Sequence, residues 1–240
     1  MAMCAARAAS SDKTAPRARA AAVRCIGIMG GMFDPVHLGH VQSAASVREQ
    51  LALDSVLLIP CGNPVHRGKA FAAADDRCAM LELAVAQQPW LQLDRRECRS
   101  AAPSYTIDTL TALHAEQPDV SWHLLLGVDA FLTLTNWKQW QQLFALAHLI
   151  VMTRPGYHFN PALLPFELLA EWEERRVTDA AALAQTRQGS ILCVDVQSAD
   201  LSSTRVRHLL KTAADPGSIL HPAVTAHIRR RGLYQSGELA

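Results

Sequence analysis

Two histidines, His37 and His40, close a segment that reads GGMFDPVHLGH from Gly30 onward. Residues three apart share one face of a helix, so both imidazoles would project from the start of the same helix. The paired glycines let the backbone turn sharply beside a ligand, and the first N–H groups of a helix attract anions. Because imidazoles can add hydrogen bonds to such an anion, the segment predicts a phosphate-binding turn.

Two other interpretations of the histidine pair stay open. A metal site is disfavoured because the H-E-x-x-H signature of zinc proteases is absent. A packing role is the stronger alternative, since Gly39 would let the helix approach its neighbours closely. The segment is neither a Walker A loop nor a G-x-G-x-x-G turn, so the usual phosphate motifs do not explain it.

A second polar segment, LSSTRVR from Leu201, lies near the other end of the chain. Hydroxyl side chains at a helix start commonly cap that helix. The same hydroxyls, with free N–H groups and Arg207 one turn later, would also hold a polyphosphate. Both interpretations are compatible with the residues alone.

Short apolar runs alternate with helical patterns along the chain. Strands are predicted at 23–29, 55–60, 91–95, 122–127, 149–153 and 191–196, and helices at 38–51, 75–87, 106–115, 136–147 (capped by Asn136), 204–211 and 222–231. This pattern predicts an α/β fold: a doubly wound, Rossmann-like parallel sheet with helices on both faces and a small C-terminal helical part. Residues 157–188 are expected to form a small helical insertion. Ligands of such sheets bind at the carboxyl ends of the strands, where both polar segments lie.

The composition bounds the other possibilities. The 240 residues carry a formal net charge of +1, which gives no case for nucleic acid or membrane binding. Six scattered cysteines without a C-x-x-C pair indicate reduced thiols and a cytoplasmic protein. Residues 1–22, rich in Ala, Arg and Ser, are expected to form a disordered tail, with a mitochondrial-type presequence as the alternative, and 23–240 a single domain.

The glycine–histidine segment resembles the signature loop of the nucleotidyltransferase superfamily that has the H-x-G-H motif, and LSSTRVR is similar to its I-S-S-T-x-I-R motif. The family usually has Thr or Ser where this chain has Met32. The resemblance implies that His37, His40 and Arg207 stabilise charge on ATP phosphates. It implies an ATP site formed by Gly30, Gly31, Met32, Phe33, Asp34, Gly127, Asp129, Ser202, Ser203 and Thr204.

Other segments resemble bacterial nicotinate-nucleotide adenylyltransferases in particular. SYTIDTL from Ser104, GVD from Gly127, the downstream Trp137, NPVHR from Asn63 and RPG from Arg154 are similar to family motifs, and the resemblance spans about residues 26–234. It implies an acceptor site formed by Asn63, His66, Arg67, Ser104, Tyr105, Thr106, Trp137, Lys138 and Arg154.

The chemistry of these residues agrees with the implied acceptor. A pyridine ring that carries a carboxylate needs an aromatic platform and N–H donors, which Trp137 and the backbone at Thr106 and at the Trp137–Lys138 turn could supply. Core packing of Trp137 and Tyr105 remains the alternative. Asp129 follows a strand end, where a carboxylate either receives ribose hydroxyls or caps a helix.

The implied reaction joins ATP and nicotinate mononucleotide into the dinucleotide with release of pyrophosphate, by direct attack of the acceptor phosphate. Mg²⁺ would accompany ATP with few dedicated protein ligands. Two alternatives stay open: a relative that uses nicotinamide mononucleotide or phosphopantetheine, the latter disfavoured by the Ser104–Thr106 segment and Trp137, and a nucleotide-binding module without catalysis. Assembly into a homo-oligomer is compatible with any of them. A tRNA synthetase is disfavoured by the length and by the absence of a K-M-S-K-S-like segment.

Overall fold

The computed structural model describes residues 23–63, 70–100, 102–153, 159–198, 201–212 and 216–235. The tail predicted for residues 1–22 lies outside these ranges. Within them, seven parallel strands form one sheet in the order β3-β2-β1-β4-β5-β7-β6. The strands are β1 Cys25–Gly31, β2 Ser55–Pro60, β3 Leu91–Leu93, β4 Ser121–Gly127, β5 His148–Thr153, β6 Arg176–Val177 and β7 Ile191–Asp195.

Helices cover both faces of the sheet. They are α1 Leu38–Leu51, α2 Ala74–Val85, α3 Thr106–Glu116, α4 Val128–Leu132, α5 Phe166–Arg175, α6 Ala180–Leu183, α7 Ser203–Lys211 and α8 Pro222–Arg231. Short 3-10 turns occupy Leu134–Asn136, Trp140–Ala145, Pro161–Leu163 and Gly217–Ile219. The predicted doubly wound α/β fold is confirmed.

Two apolar cores form because successive residues of a strand face opposite sides of the sheet. In β4, Leu124 and Leu126 pack with α3, α4 and α5, whereas Leu125 packs with α1, α2 and α8. Central strands buried on both faces are apolar at most positions, which explains their nearly continuous apolar runs. Among the described residues, no helix has the length and apolarity needed to cross a membrane.

One local prediction was wrong, and another was incomplete. Residues 136–147 do not form an α-helix but part of two 3-10 turns, and Asn136 ends the first turn instead of capping a helix. Gln139 adopts a left-handed conformation with φ 51°, which interrupts any continuous helix there. The expected insertion at 157–188 does contain α5 and α6 in its described part, but it also supplies β6, a seventh strand that extends the sheet edge.

Candidate active site

The first loop leaves β1 at Gly30 and Gly31 and is held in place from inside the protein. The buried Arg77 of α2 donates to the carbonyl oxygen of Met32 at 2.8 Å and to that of Cys61 at 2.7 Å. Phe33 adopts a left-handed φ of 48°, and its buried ring packs into the core between α1 and β1. The loop is therefore a fixed structure that presents its backbone at the carboxyl end of the sheet.

Asp34 fastens this loop to three other segments. Its carboxylate, 3% exposed, accepts hydrogen bonds from the Phe71 N–H at 2.6 Å, the Ala72 N–H at 3.1 Å and the Tyr234 hydroxyl at 2.7 Å. Its carbonyl oxygen accepts one from Nη1 of Arg207 at 2.7 Å. The resemblance assigns Asp34 to the ATP site, and the structure places its side chain among the groups that position that site.

His37 and His40 lie together at the start of α1, as their spacing predicts. Their rings are stacked with centroids 3.7 Å apart, and the His37 N–H donates to Nδ1 of His40 at 3.2 Å. Burial, and secondarily the neighbouring His37, holds the pKa of His40 well below its ordinary value. His40 is therefore neutral near pH 7, and because Nδ1 accepts a hydrogen bond, its proton resides on Nε2, where it can be donated to a ligand.

The second polar segment docks directly onto the first loop. Ser202 caps α7 by accepting the Arg205 N–H at 3.2 Å, and the Ser203 hydroxyl donates to the Pro35 carbonyl oxygen at 3.0 Å. Capping, one of the two interpretations, is thus confirmed for Ser202. The Arg207 guanidinium bridges to Asp34, as described above, and its Nη2 donates to Oγ1 of Thr204 at 3.1 Å. The Phe71 ring lies over the guanidinium, 4.3 Å from its central carbon.

A cavity of about 930 Å³ opens between these segments. It brings together every residue that the sequence assigns to catalysis or to ATP: Gly30, Gly31, Met32, Phe33, Asp34, His37, His40, Gly127, Asp129, Ser202, Ser203, Thr204 and Arg207. Asp129 is exposed in the first turn of α4. Residues from both ends of the chain therefore share one cavity, large enough for a nucleotide.

The loop after β2 is joined to the segment before α3 through Ser104. Its hydroxyl accepts the N–H groups of Gly62 at 3.2 Å and Asn63 at 3.3 Å, and the Ser104 N–H donates to the Asn63 carbonyl oxygen at 3.1 Å. A Cβ at position 62 would lie 2.1 Å from the Glu97 carbonyl oxygen, so only glycine fits here. Asn63 and Ser104 are therefore hydrogen-bonded to each other, and Asn63 does not line the smaller cavity that opens beside them.

A smaller cavity of about 230 Å³ opens at this second junction. The predicted acceptor residues Ser104, Tyr105, Thr106, Trp137 and Lys138 line it. The Lys138 ammonium lies 4.6 Å from the centre of the Tyr105 ring and forms an ion pair with Asp108 at 3.0 Å. His66, Arg67 and Arg154 lie outside the described residues.

The backbone donors differ from the prediction in one detail. Thr106 is the first residue of α3, so its N–H has no partner within the helix and points to the helix start. The Trp137 N–H, however, donates to the Leu134 carbonyl oxygen at 2.9 Å. The turn at Trp137–Lys138 can therefore offer the Lys138 N–H but not that of Trp137.

The two cavities share a wall. Gly30, Gly31 and Met32 of the first loop line both, as does Trp137. The Trp137 side chain is half-buried and packs at the edge of the core, so its ring combines the two roles that the sequence left open. Groups bound in the two cavities would meet at Met32.

Sequence reasoning missed three residues that matter here: Arg77, Tyr234 and Glu97. Glu97 lines the smaller cavity and accepts the Thr109 hydroxyl at 2.7 Å, and burial raises the pKa of its carboxyl group. A charged residue at position 77 within an apolar helical pattern was the only available signal for Arg77. Nothing local marks Tyr234, whose partner lies 200 residues away.

Comparisons with known proteins agree with the geometry. Residues 28–209 match the model of the cytidylyltransferase-like family. A protein of Aeromonas hydrophila named as a probable nicotinate-nucleotide adenylyltransferase is 43% identical over 210 residues, covering 88% of this chain and 97% of the relative. A protein of the same name from Chromobacterium violaceum is 43% identical over 213 residues, covering 88% and 98%.

Solved structures show the same fold. The nicotinic acid mononucleotide adenylyltransferase of Plasmodium falciparum, complexed with NaAD, superposes with a TM-score of 0.67 and covers 89% of this chain and 98% of its own. The same protein complexed with APC gives a TM-score of 0.65 over the same shares. At 15% identity these likenesses bear on the fold alone.

Proposed function

The chain belongs to the nicotinate-nucleotide adenylyltransferase family, within the wider cytidylyltransferase-like family, and we propose that it transfers the adenylyl group of ATP to nicotinate mononucleotide. The products are nicotinate adenine dinucleotide and pyrophosphate, in a step of NAD biosynthesis. One observation carries the proposal: a nucleotide-sized cavity and a smaller aromatic cavity meet at one glycine turn.

ATP occupies the larger cavity in this proposal, with its phosphates near the start of α1. The N-terminus of α1, neutral His40 with its proton on Nε2, and the Arg207 guanidinium all present donors to anionic oxygens there. His37 lies against His40 and adds a second ring at the same position. These groups stabilise the negative charge that develops on the leaving pyrophosphate.

The acceptor occupies the smaller cavity, with its ring against Trp137 and Tyr105. The N–H groups of Thr106 and Lys138 then face the ring carboxylate, and the Lys138 ammonium adds positive charge at the rim. The acceptor phosphate points toward Met32, where it attacks the α-phosphorus of ATP directly. Because the acceptor itself is the nucleophile, the protein contributes alignment and charge stabilisation, without a covalent intermediate.

Met32 replaces the usual hydroxyl residue without disturbing the turn. Its carbonyl oxygen is fixed by Arg77, and its backbone still lines both cavities. A backbone N–H binds phosphate whatever the side chain. We therefore favour an active enzyme over a nucleotide-binding module.

Mg²⁺ enters with ATP in this proposal. Two carboxylates line the larger cavity, and the oxygens of Asp34 already accept protein hydrogen bonds. Asp129 is the remaining one, which fits an ion held chiefly by phosphate oxygens and water. The ion would neutralise charge on the triphosphate.

The cysteines support a cytoplasmic location, because no disulfide joins any two of them within the described residues.

Pyrophosphate release tests the proposal. The full-length protein would be assayed with ATP and Mg²⁺ and with one acceptor at a time: nicotinate mononucleotide, nicotinamide mononucleotide or phosphopantetheine. We expect turnover that requires both Mg²⁺ and a pyridine mononucleotide. ATP binding without turnover on any acceptor would instead indicate a nucleotide-binding module, and turnover on phosphopantetheine alone would contradict the acceptor.

A further inference from the structure

We infer that Tyr234, which follows α8, is a positioning residue for the loop that holds ATP and acts through the buried carboxylate of Asp34. This inference rests on the proposed function of that loop. Tyr234 does not line either cavity, and no motif of the sequence points to it.

Asp34 joins four separate parts of the chain. Its carboxylate is bonded to the backbone at Phe71 and Ala72 and to the Tyr234 hydroxyl, and its carbonyl oxygen to Arg207. A buried carboxylate is stable only when hydrogen-bond donors satisfy it. Each of these bonds therefore helps to fix the position of the loop. Since His37 lies three residues further on, the position of Asp34 sets the position of the histidine pair.

The Tyr234 hydroxyl reaches Asp34 because α8 is fastened to α2. The buried Asp76 of α2 contacts Nε2 of His227 at 3.2 Å and accepts Nε of Arg231 at 3.0 Å. The chain then reverses through Gly232, with φ 61°, and Tyr234 itself adopts a left-handed φ of 64°. A bulky residue rarely adopts this conformation, and here it directs the phenol toward the first loop.

The phenol is a constant donor. Burial, with the charge and hydrogen bond of Asp34 adding to it, raises the pKa of Tyr234 well above its ordinary value. The hydroxyl therefore keeps its proton throughout the physiological range, and the 2.7 Å bond to Oδ1 of Asp34 persists. Removing it would leave Oδ1 with the longer bond from Ala72 alone.

A less firmly held loop binds ATP more weakly. Apparent affinity falls in proportion to the fraction of molecules whose loop is in the binding position. A lost hydrogen bond to a buried carboxylate is expected to weaken ATP binding roughly 3- to 10-fold. The acceptor cavity lies on the other side of the turn, so the acceptor KM should change less.

The test compares Tyr234→Phe, which removes only the hydroxyl, with His227→Gln. The control variant removes one of the two bonds that fasten α8 to Asp76, while Arg231 keeps the other, so Tyr234 stays in position and neither Asp34 nor the cavities are touched. Three quantities are measured for each full-length variant: the Kd for ATP by calorimetry without acceptor, amide hydrogen exchange across residues 32–37, and the melting temperature.

We expect Tyr234→Phe to raise the Kd for ATP roughly 3- to 10-fold and to speed exchange in the loop, whereas His227→Gln lowers the melting temperature and changes the Kd less than twofold. Unchanged Kd and exchange in Tyr234→Phe would overturn the inference, as would an equal loss of ATP affinity in His227→Gln. Because binding and exchange need no acceptor, a wild-type protein that binds ATP without turnover would contradict the proposed reaction alone.

Discussion

Two pairs of neighbouring histidines lie at opposite ends of the sheet. His37 and His40 follow the carboxyl end of β1, with ring centroids 3.7 Å apart, and His123 and His148 face each other on β4 and β5 near the amino ends, 5.0 Å apart. Burial lowers the pKa of His40, His123 and His148 alike. Neither residue type nor a lowered pKa therefore distinguishes the two pairs.

The surroundings distinguish them. His148 is fully buried, and its Nδ1 accepts the Ser190 N–H while Nε2 donates to the Thr186 carbonyl oxygen, both at 3.2 Å. Nδ1 of His123 bonds to the Ser121 carbonyl oxygen at 3.1 Å. His123 and His148 therefore form hydrogen bonds with backbone groups. His40 instead lies at the start of a helix and lines the larger cavity together with Arg207. In the proposed mechanism, a histidine pair gains a chemical role from its position at the carboxyl edge of the sheet.

The largest expected effect separates the pairs by activity. His40→Ala should lower kcat roughly 100-fold or more, with a much smaller change in ATP affinity, because a donor to developing charge is lost. Steady-state kinetics on the folded variant measure this. Full turnover in His40→Ala would remove the histidine pair from the proposed mechanism.

The opposite result is expected at the amino end of the sheet. His148→Leu removes the buried imidazole and with it the partner of the Ser190 N–H and of the Thr186 carbonyl oxygen, which should cost roughly 2–4 kcal/mol of unfolding free energy. Denaturant titration measures the loss, and kcat at 25 °C should stay within about twofold of wild type. A stable but inactive His148→Leu protein would contradict the view that His123 and His148 are structural whereas His37 and His40 are catalytic.

The smallest effect concerns pH. The pKa of His123 is lowered to about 4, so between pH 6.5 and 4 the unfolded chain binds a proton that the folded chain does not. Stability is therefore full above pH 7 and falls on acidification, by about 2 kcal/mol at pH 5 from this residue. His123→Gln should lose about that much less than wild type between pH 7 and 5. Equal pH dependence in both proteins would show that His123 titrates normally.

The sequence could predict what depends on local pattern. Continuous apolar runs define β2, β4 and β5, and glycine turns with polar residues after them define the ligand-binding edge, because strand ends of a parallel sheet meet there. The prediction of a helix at 136–147 was wrong because the spacing of Trp137, Trp140 and Phe144 resembles that of one face of a helix. Tertiary packing overrides that spacing when Gln139 turns left-handed and Trp137 faces the cavity.

Long-range partners could not be predicted. Arg77 bonds to a carbonyl oxygen 45 residues away, and Tyr234 to a carboxylate 200 residues away, so no spacing rule relates them. The side chain of Asp34 looked like a ligand contact in the motif, yet protein groups surround it. Motifs identify which residues assemble, and only the fold shows which of them hold the others in place.

The acceptor cavity gives a further way to separate function from packing. Trp137→Ala should weaken binding of pyridine mononucleotides of either kind, because stacking ignores the ring substituent, and should raise the Kd for ATP much less, although the ring also borders the larger cavity. Kinetics with both acceptors measure this effect. A loss of stability with an unchanged acceptor KM would show that Trp137 contributes to core packing and not to acceptor binding.

The most direct measurement is kcat/KM of the wild-type protein for nicotinate mononucleotide and for its amide. The two acceptors differ only in a carboxylate against a carboxamide, and in the proposed binding mode the N–H donors at Thr106 and Lys138 would satisfy both carboxylate oxygens. The amide would turn its NH₂ toward one of these donors, a mismatch worth roughly 1–3 kcal/mol. We predict a preference for the acid of at least about tenfold. Equal efficiency, or a preference for the amide, would contradict the account of this cavity.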